Sequence, residues 1–337
     1  MNTLTIGIIG TGTYFPDGFE TAADIARITK IPEYVLREKM GIRQRHVASN
    51  RDSVSYMASE AAKKAIAQAG ISPEQIAMVI SHGSEYKDHV IWNAAGKIQH
   101  NVGAVNAFAF EMYALCAGAP IAMNIARSMM LTDSNLEYVL LAAASRENDL
   151  INLHNQRARF MFNFGAGGGA MLFKRGTEKN IVLASSAITD GSLSETVMLT
   201  RESDALGEDT AIRGDYHGML DVRNSDYMAE RLGETSLENF VKVMGDAVEK
   251  SGYTLNDVAF AGMTHMKRSF YLQILQEIGL TPEQSVYLED YGHIQSVDQV
   301  LALELGLQQG KIHDGDVIVL AGAGTGYTWS AICLRWG

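Results

Sequence analysis

The spacing of apolar positions alternates between the period of a strand and that of a helix along the whole chain. Residues 4–9 alternate apolar and small side chains and read as a strand, which runs into Gly10-Thr11-Gly12-Thr13, a predicted glycine turn. Residues 21–29 predict a helix capped by Thr21, and residues 32–40 another closed by Gly41. Residues 53–70 carry the clearest helical stripe, with Val54, Met57, Ala58, Ala61 and Ile66 on one face and Gly70 at the end. Strands are predicted at 76–81, 107–115, 138–144, 170–174 and 181–188, and helices at 94–102 and 121–130. Residues 190–225 are polar and aperiodic, contain Gly207, Gly214 and Gly218, and predict a long surface excursion, usually a functional feature in a compact domain.

The rhythm then repeats. Helices are expected at 239–250, 270–278 and 294–305, strands at 258–263, 286–288, 317–321 and 328–334, and a glycine turn at 322–326. Strands alternating with helices in both halves predict an α/β protein with mixed, helix-covered sheets. The expected division is 1–175 and 176–337. Each half has a strand–turn–helix unit with a polar candidate, Cys116 in the first and His293 in the second.

Composition narrows the class. A chain of 337 residues exceeds one small core. The 32 glycines against 5 prolines indicate tight turns and close backbone approaches more than disordered linkers. A net charge of −11 argues against general nucleic-acid binding, so any acidic partner must meet a local basic patch. The two cysteines, Cys116 and Cys333, form no disulfide framework and fit a reducing cytoplasm. The N-terminus lacks a basic leader and reads as a first strand, and no window approaches the roughly 20 apolar residues of a membrane span. No Cys/His pair has metal-ligand spacing, so no metal is expected.

The stretch Ala109-Phe110-Glu111-Met112-Tyr113-Ala114-Leu115-Cys116-Ala117-Gly118-Ala119-Pro120 reads as an apolar strand that stops at a cysteine, then a small-residue turn and a helix. Unpaired N–H groups and the positive end of the dipole at a helix start stabilise a thiolate, and the small neighbours leave the sulfur open. A buried core cysteine is the bland alternative. The context favours a nucleophile.

Several segments, in order, resemble a β-ketoacyl-ACP synthase III type enzyme of the thiolase fold. They are the early Gly-Thr-Gly-Thr-Tyr-Phe-Pro, Gly41-Ile42-Arg43-Gln44-Arg45-His46, the cysteine segment, the Phe164–Ala170 glycine stretch and Gly324-Thr325-Gly326-Tyr327-Thr328-Trp329. The resemblance implies two duplicated halves in a five-layered αβαβα arrangement, an active site between them, and a homodimer. It also implies that Cys116 takes an acyl group from a thioester and passes it on. The backbone N–H groups of Cys116 and Gly326 would meet the oxyanion.

Two departures bear on the chemistry. Carbon–carbon bond-forming members carry a His and an Asn. The His stretch corresponds here to Met263-Thr264-His265-Met266-Lys267-Arg268-Ser269, with His265 near its place. The Asn that normally follows a glycine is replaced by His293, in Gly292-His293-Ile294-Gln295-Ser296-Val297-Asp298. An imidazole there can take a proton from an acceptor near neutral pH, and a carboxylate can hold its tautomer. Asp298 is the candidate for that carboxylate, although five residues along a helix is not one face and Asp is common at helix starts. His82, His154, His217 and His313 lack such context and read as structural or exposed.

For the substrate arm, the resemblance points to Tyr34, Arg37 and Lys39 against a CoA nucleotide and to Arg157 or Arg159 against its phosphates. Lys267 and Arg268 are candidates to dock an acidic carrier protein. Each is equally readable as an ordinary surface charge. Ile91 and Trp92 fall near the residue that, in the family, reaches into the partner subunit's acyl pocket. No permanently bound cofactor is implied; CoA or phosphopantetheine thioesters enter as substrate. The leading expectation is an acyltransferase of specialised metabolism making an ester, amide or thioester. The alternatives are a decarboxylating condensing enzyme and a noncatalytic partner subunit.

Overall fold

The computed structural model describes residues 4–200 and 219–337. Strand β1 (Ile6–Tyr14) opens the fold, and a ribbon of β2 (Gly18–Thr21) and β3 (Gln44–Val47) brackets helix α1 (Ala22–Thr29). Thr21 caps α1 in a reciprocal capping box with Asp24, as its sequence indicates. Then follow α2 (Val54–Ala69), β4 (Ile76–Ser81), α3 (Ala94–Val102), β5 (Phe108–Glu111), α4 (Gly118–Thr132), β6 (Tyr138–Ser145) and β7 (Gly167–Arg175). The rest is β8 (Ile181–Thr189), β9 (Val197–Thr200), β10 (Met219–Val222), α5 (Ser225–Lys250), β11 (Val258–Met263), α6 (Arg268–Glu277), α7 (Asp298–Gln308), β12 (Val317–Gly324) and β13 (Thr328–Arg335).

Nine strands join in the order β11-β12-β13-β8-β1-β7-β6-β4-β5, with β1 and β8 linked by the single pairing of Gly7 with Ile181. On either side of that link the connections repeat. β4 runs parallel to β6, which is antiparallel to β7, which is antiparallel to β1. β11 runs parallel to β12, which is antiparallel to β13, which is antiparallel to β8. β5 extends the first set alongside β4; in the second, among the described residues, a single parallel bridge, Ala261 with Ser285, stands in that place.

Helices complete the layers. The alanine-rich face of α2 lies on β1, β7 and β6, and α5 lies on β13, β8 and β12. Between the two sets run α4 and α7, with Ala122, Met123, Ala126, Val300 and Leu303 in a shared apolar core. The stack is the αβαβα sandwich, and its centre is where two helix N-termini meet.

Several sequence expectations change. The Gly10-Thr11-Gly12-Thr13 stretch is not a turn: β1 runs through it to Tyr14. A Cβ at Gly10 would strike the Ala65 carbonyl and one at Gly12 the Ala61 carbonyl, so these glycines let α2 lie close on the strand. Residues 35–39 form a single π turn in place of an α-helix. β5 ends at Glu111, short of the cysteine, where Lys87 and the Ala94 N–H hold the Glu111 carboxylate. Residues 286–288 form no strand. The predicted excursion contains a β9–β10 ribbon, and α5 begins at Ser225, well ahead of 239, because its first turns bury Met228 amid polar neighbours and show little periodicity. Gly207, Gly214, Gly218 and His217 lie outside the described residues. Among the described residues no helix is long and apolar enough to cross a membrane.

Candidate active site

Cys116 reaches its position through a strained turn. Leu115 adopts φ +49, a region unfavourable for a side chain with a Cβ, and a 3₁₀ turn, Leu115–Ala117, feeds into α4. The thiol is thereby lifted off the end of β5 onto the helix N-terminus. Strand β12 closes behind it: a Cβ at Gly322 would strike the Cys116 carbonyl, and one at Gly324 the Ala114 carbonyl. Gln299, buried in the first turn of α7, donates to the Cys116 carbonyl (3.3 Å), Thr264 Oγ1 (2.9 Å) and the Ala321 carbonyl (3.1 Å). Through Gln299 the backbone at Cys116 is thus fastened to three elements of the other half.

His293 is held just as firmly. Its N–H donates to the Asn163 carbonyl (2.7 Å) and its carbonyl accepts from Gly165 N–H (2.9 Å). Buried Arg45 braces that loop, donating to the Phe162 and Phe164 carbonyls at 2.9 and 3.0 Å while pairing with Glu20. The imidazole Nε2 lies 2.9 Å from Cys116 Sγ, and Nδ1 lies 2.6 Å from Asp298 Oδ2. Asp298 also accepts from the N–H groups of His265 (2.7 Å) and Ile294 (2.8 Å), so a wholly buried carboxylate is fully bonded.

The helical-spacing objection to Asp298 does not apply. The helix expected from 294 starts at Asp298; the four residues before it fold back through Gln295 at φ +52 and a 3₁₀ turn, Gln295–Val297. That reversal returns the carboxylate beneath the ring. Sequence spacing misjudged this contact because one left-handed residue breaks the helix between the two groups.

Burial works against the imidazolium of His293. The Cys116 sulfur and Asp298 together, by charge and hydrogen bonding, outweigh it and hold the ring well above its ordinary range. His265 is the opposite case: burial lowers it to about 4, only partly offset by Asp298 and the Gly41 backbone, and neither ring nitrogen makes a well-formed hydrogen bond among the described residues. It contacts the Tyr287 ring and faces the cavity.

That cavity, about 1020 Å³, has Cys116, His293 and His265 on its wall. One side is apolar, from Met228, Leu232, Leu237 and Phe240 on α5 together with Phe270 and Met266. Lys39, Arg157, Arg159 and Lys267 supply positive charge. Arg157 is paired with Asp221. Tyr34, 63% exposed, and Arg37, 3.6 Å from Glu33, lie off the cavity wall, while Arg268 pairs with Glu289 and stacks on Tyr287. Gly326 sits at the β12–β13 turn with φ +99, between the cavity residues Thr325 and Tyr327. Ile91 is fully exposed and Trp92 packs edge-on against His89. Two residues escaped the sequence reading. Asn163, with an unpartnered buried Oδ1, lines the cavity, and Gln295, inside the Gly292–Asp298 stretch, bonds the cysteine; neither residue type nor spacing marked them.

Comparison with known proteins agrees with this fold. Residues 110–191 match the 3-oxoacyl-[acyl-carrier-protein] synthase III family, and residues 248–336 match the C-terminal part of the same family, together just over half of the chain. The β-ketoacyl-[acyl-carrier-protein] synthase III of Synechocystis sp. is 27% identical over 100% of both chains. Synthase III 1 of Bacillus cereus is 28% identical over 99% of this chain and 100% of its own. The crystal structure of 3-oxoacyl-[acyl-carrier-protein] synthase III from Aquifex aeolicus superposes with a TM-score of 0.85 at 24% identity, covering 98% of this chain and 100% of that one. With a fold of duplicated topology and a cysteine at the central helix start, these matches lead to one assignment: the chain belongs to the 3-oxoacyl-[acyl-carrier-protein] synthase III family of thiolase-fold acyltransferases.

Proposed function

We propose that this member transfers an acyl group from acyl-CoA or an acyl carrier protein, by way of Cys116, to a nucleophile activated by His293. The observation that carries this reading is the bonded series Cys116 Sγ–His293–Asp298, at 2.9 and 2.6 Å. An imidazole held in one tautomer by a buried carboxylate is equipped to accept and return a proton; a carboxamide at that position is not.

In loading, the Cys116 thiolate attacks the thioester carbonyl, the backbone N–H groups of Cys116 and Gly326 receive the oxyanion, and protonated His293 returns its proton to the departing thiolate. In transfer, neutral His293 removes a proton from the acceptor as it attacks the acyl-cysteine, and the cysteine sulfur leaves. The product is an ester, amide or thioester, in keeping with specialised metabolism. Lys39, Arg157, Arg159 and Lys267 would receive the phosphates of CoA or the acidic face of a carrier. Segments 1–175 and 176–337 act as the two halves, one supplying the nucleophile and the other the base, within a homodimer.

Intact-mass screening against a panel of acyl-CoAs, malonyl-CoA included, tests the reading. Wild type is expected to gain one acyl mass and Cys116→Ala none. Carbon dioxide release with a β-keto product would replace this proposal with the condensing reaction. Failure to acylate with any donor would revive a noncatalytic role.

A further inference from the structure

The sulfur of Cys116 has a second polar neighbour. Gln295 Oε1 lies 2.6 Å from Sγ, with the thiol donating to the carboxamide. Gln295 is buried, and its backbone φ of +52 is a conformation that a residue with a Cβ adopts only when its surroundings impose it. Here they do. On one side Ile294 N–H donates to Asp298; on the other Ser296 Oγ donates to the His82 carbonyl (2.7 Å) and meets His82 Nδ1 (3.1 Å). With both neighbours locked, the carboxamide is directed at the sulfur. It is not part of the cavity wall, and the side-chain hydrogen bond it makes there is to the reacting atom.

We infer that Gln295 is a further catalytic residue, a rotor that offers its oxygen to the Cys116 thiol and its NH₂ to the thiolate. A carboxamide presents either an acceptor or two donors by turning about its last bond. In the thiol form, S–H donates to Oε1. When the proton passes from sulfur to His293 Nε2, an oxygen facing the thiolate is repulsive, and rotation replaces it with N–H. One proton moves, from sulfur to imidazole, and none passes through the amide. A hydrogen bond to an ionised acceptor is stronger than one between neutral groups, so the rotor favours the thiolate on balance. The inference uses the acyl-transfer reading only in naming Cys116 as the nucleophile.

The sulfur's other titratable surroundings stay constant in the test. They are His293 and Asp298 before and in α7, His265 after β11, Tyr327 in the β12–β13 turn, Glu147 after β6 near His293, and His82 after β4, bonded to the residue next to Gln295. The experiment is the pH profile of Cys116 alkylation by iodoacetamide, followed by intact mass, for wild type, Gln295→Glu and Gln295→Gly. Glutamate keeps an acceptor, loses the donor and adds a negative charge that itself disfavours the thiolate; glycine removes the side chain, fits the left-handed backbone and is the deciding variant. The glycine profile is expected to move upward by about one pH unit, the tenfold change in thiolate fraction that one charge-assisted hydrogen bond commands, and the glutamate profile by at least as much. Profiles coinciding with wild type in folded protein overturn the inference. If Gln295→Glu does not fold, Gln295→Gly decides alone. No acyl substrate is used, so this result stands apart from any failure to find a donor.

Discussion

At the start of α4, Leu115 takes φ +49 and a 3₁₀ turn carries Cys116 into the helix; at the start of α7, Gln295 takes φ +52 and a 3₁₀ turn carries Ser296 into its helix. The flanking strands repeat as well, so Cys116 and Ser296 occupy matching places in the two halves. Their surroundings differ completely. Cys116 opens on the cavity and meets an imidazole that is bonded to a carboxylate. Ser296 has no exposure; it is closed against His82, whose other nitrogen has no partner. A Cβ at Gly118 would crowd Ser296 and the His82 carbonyl, so the first turn of α4 seals that place. One backbone device therefore serves once as a turn open to the cavity and once as a fastening between the central helices. What separates them is access and the groups facing the hydroxyl or thiol.

The largest effect expected from breaking this contrast is at the paired positions. Cys116→Ala should abolish acyl loading in intact-mass assays, whereas Ser296→Ala should still load and should lower stability by about 1–2 kcal/mol in urea denaturation, the worth of its lost hydrogen bonds. His293→Asn puts a carboxamide, the residue type that the family resemblance implies for condensing members, in place of the proposed base. It should reduce transfer to a nucleophilic acceptor by about 10²–10⁴-fold, measured as turnover of preloaded acyl-enzyme. Asp298→Asn should reduce the same rate by about 10²-fold or more, through loss of the tautomer-holding partner, with circular dichroism unchanged.

The smallest expected effect concerns the sealed side. Burial lowers His82 and His265 each to about 4, against an ordinary value of 6.5. Between those values the unfolded chain binds protons that the folded one refuses, so stability falls as pH drops from 6.5 toward 4. His82→Asn should reduce that slope by about 1.4 kcal/mol per pH unit, one proton's worth, in denaturation series at pH 6.5, 5.5 and 4.5. An unchanged slope would place the acid sensitivity elsewhere.

Much of the architecture was legible one-dimensionally. The stripe of α2, the buried runs of β4, β6 and β11, and the alternation of strands and helices follow from period and composition, because each element must bury one face. A cysteine preceding a helix rich in small residues and a histidine after Gly292 were likewise visible as candidates. Where local periodicity was the wrong guide, a neighbour had intervened: α2 presses β1 straight through its glycines, and Gln295 delays α7 until Asp298.

The chain's order of residues alone determined the duplicated α/β frame and the kinds of groups at its two central turns. Only the folded form decided that residues 177 and 179 positions apart meet at one sulfur, that a carboxylate returns beneath its own histidine, and that the second turn is closed. The physical reason is that pattern records which face a residue presents, whereas these contacts depend on where two helix ends stop against each other, which is set by packing across the whole molecule.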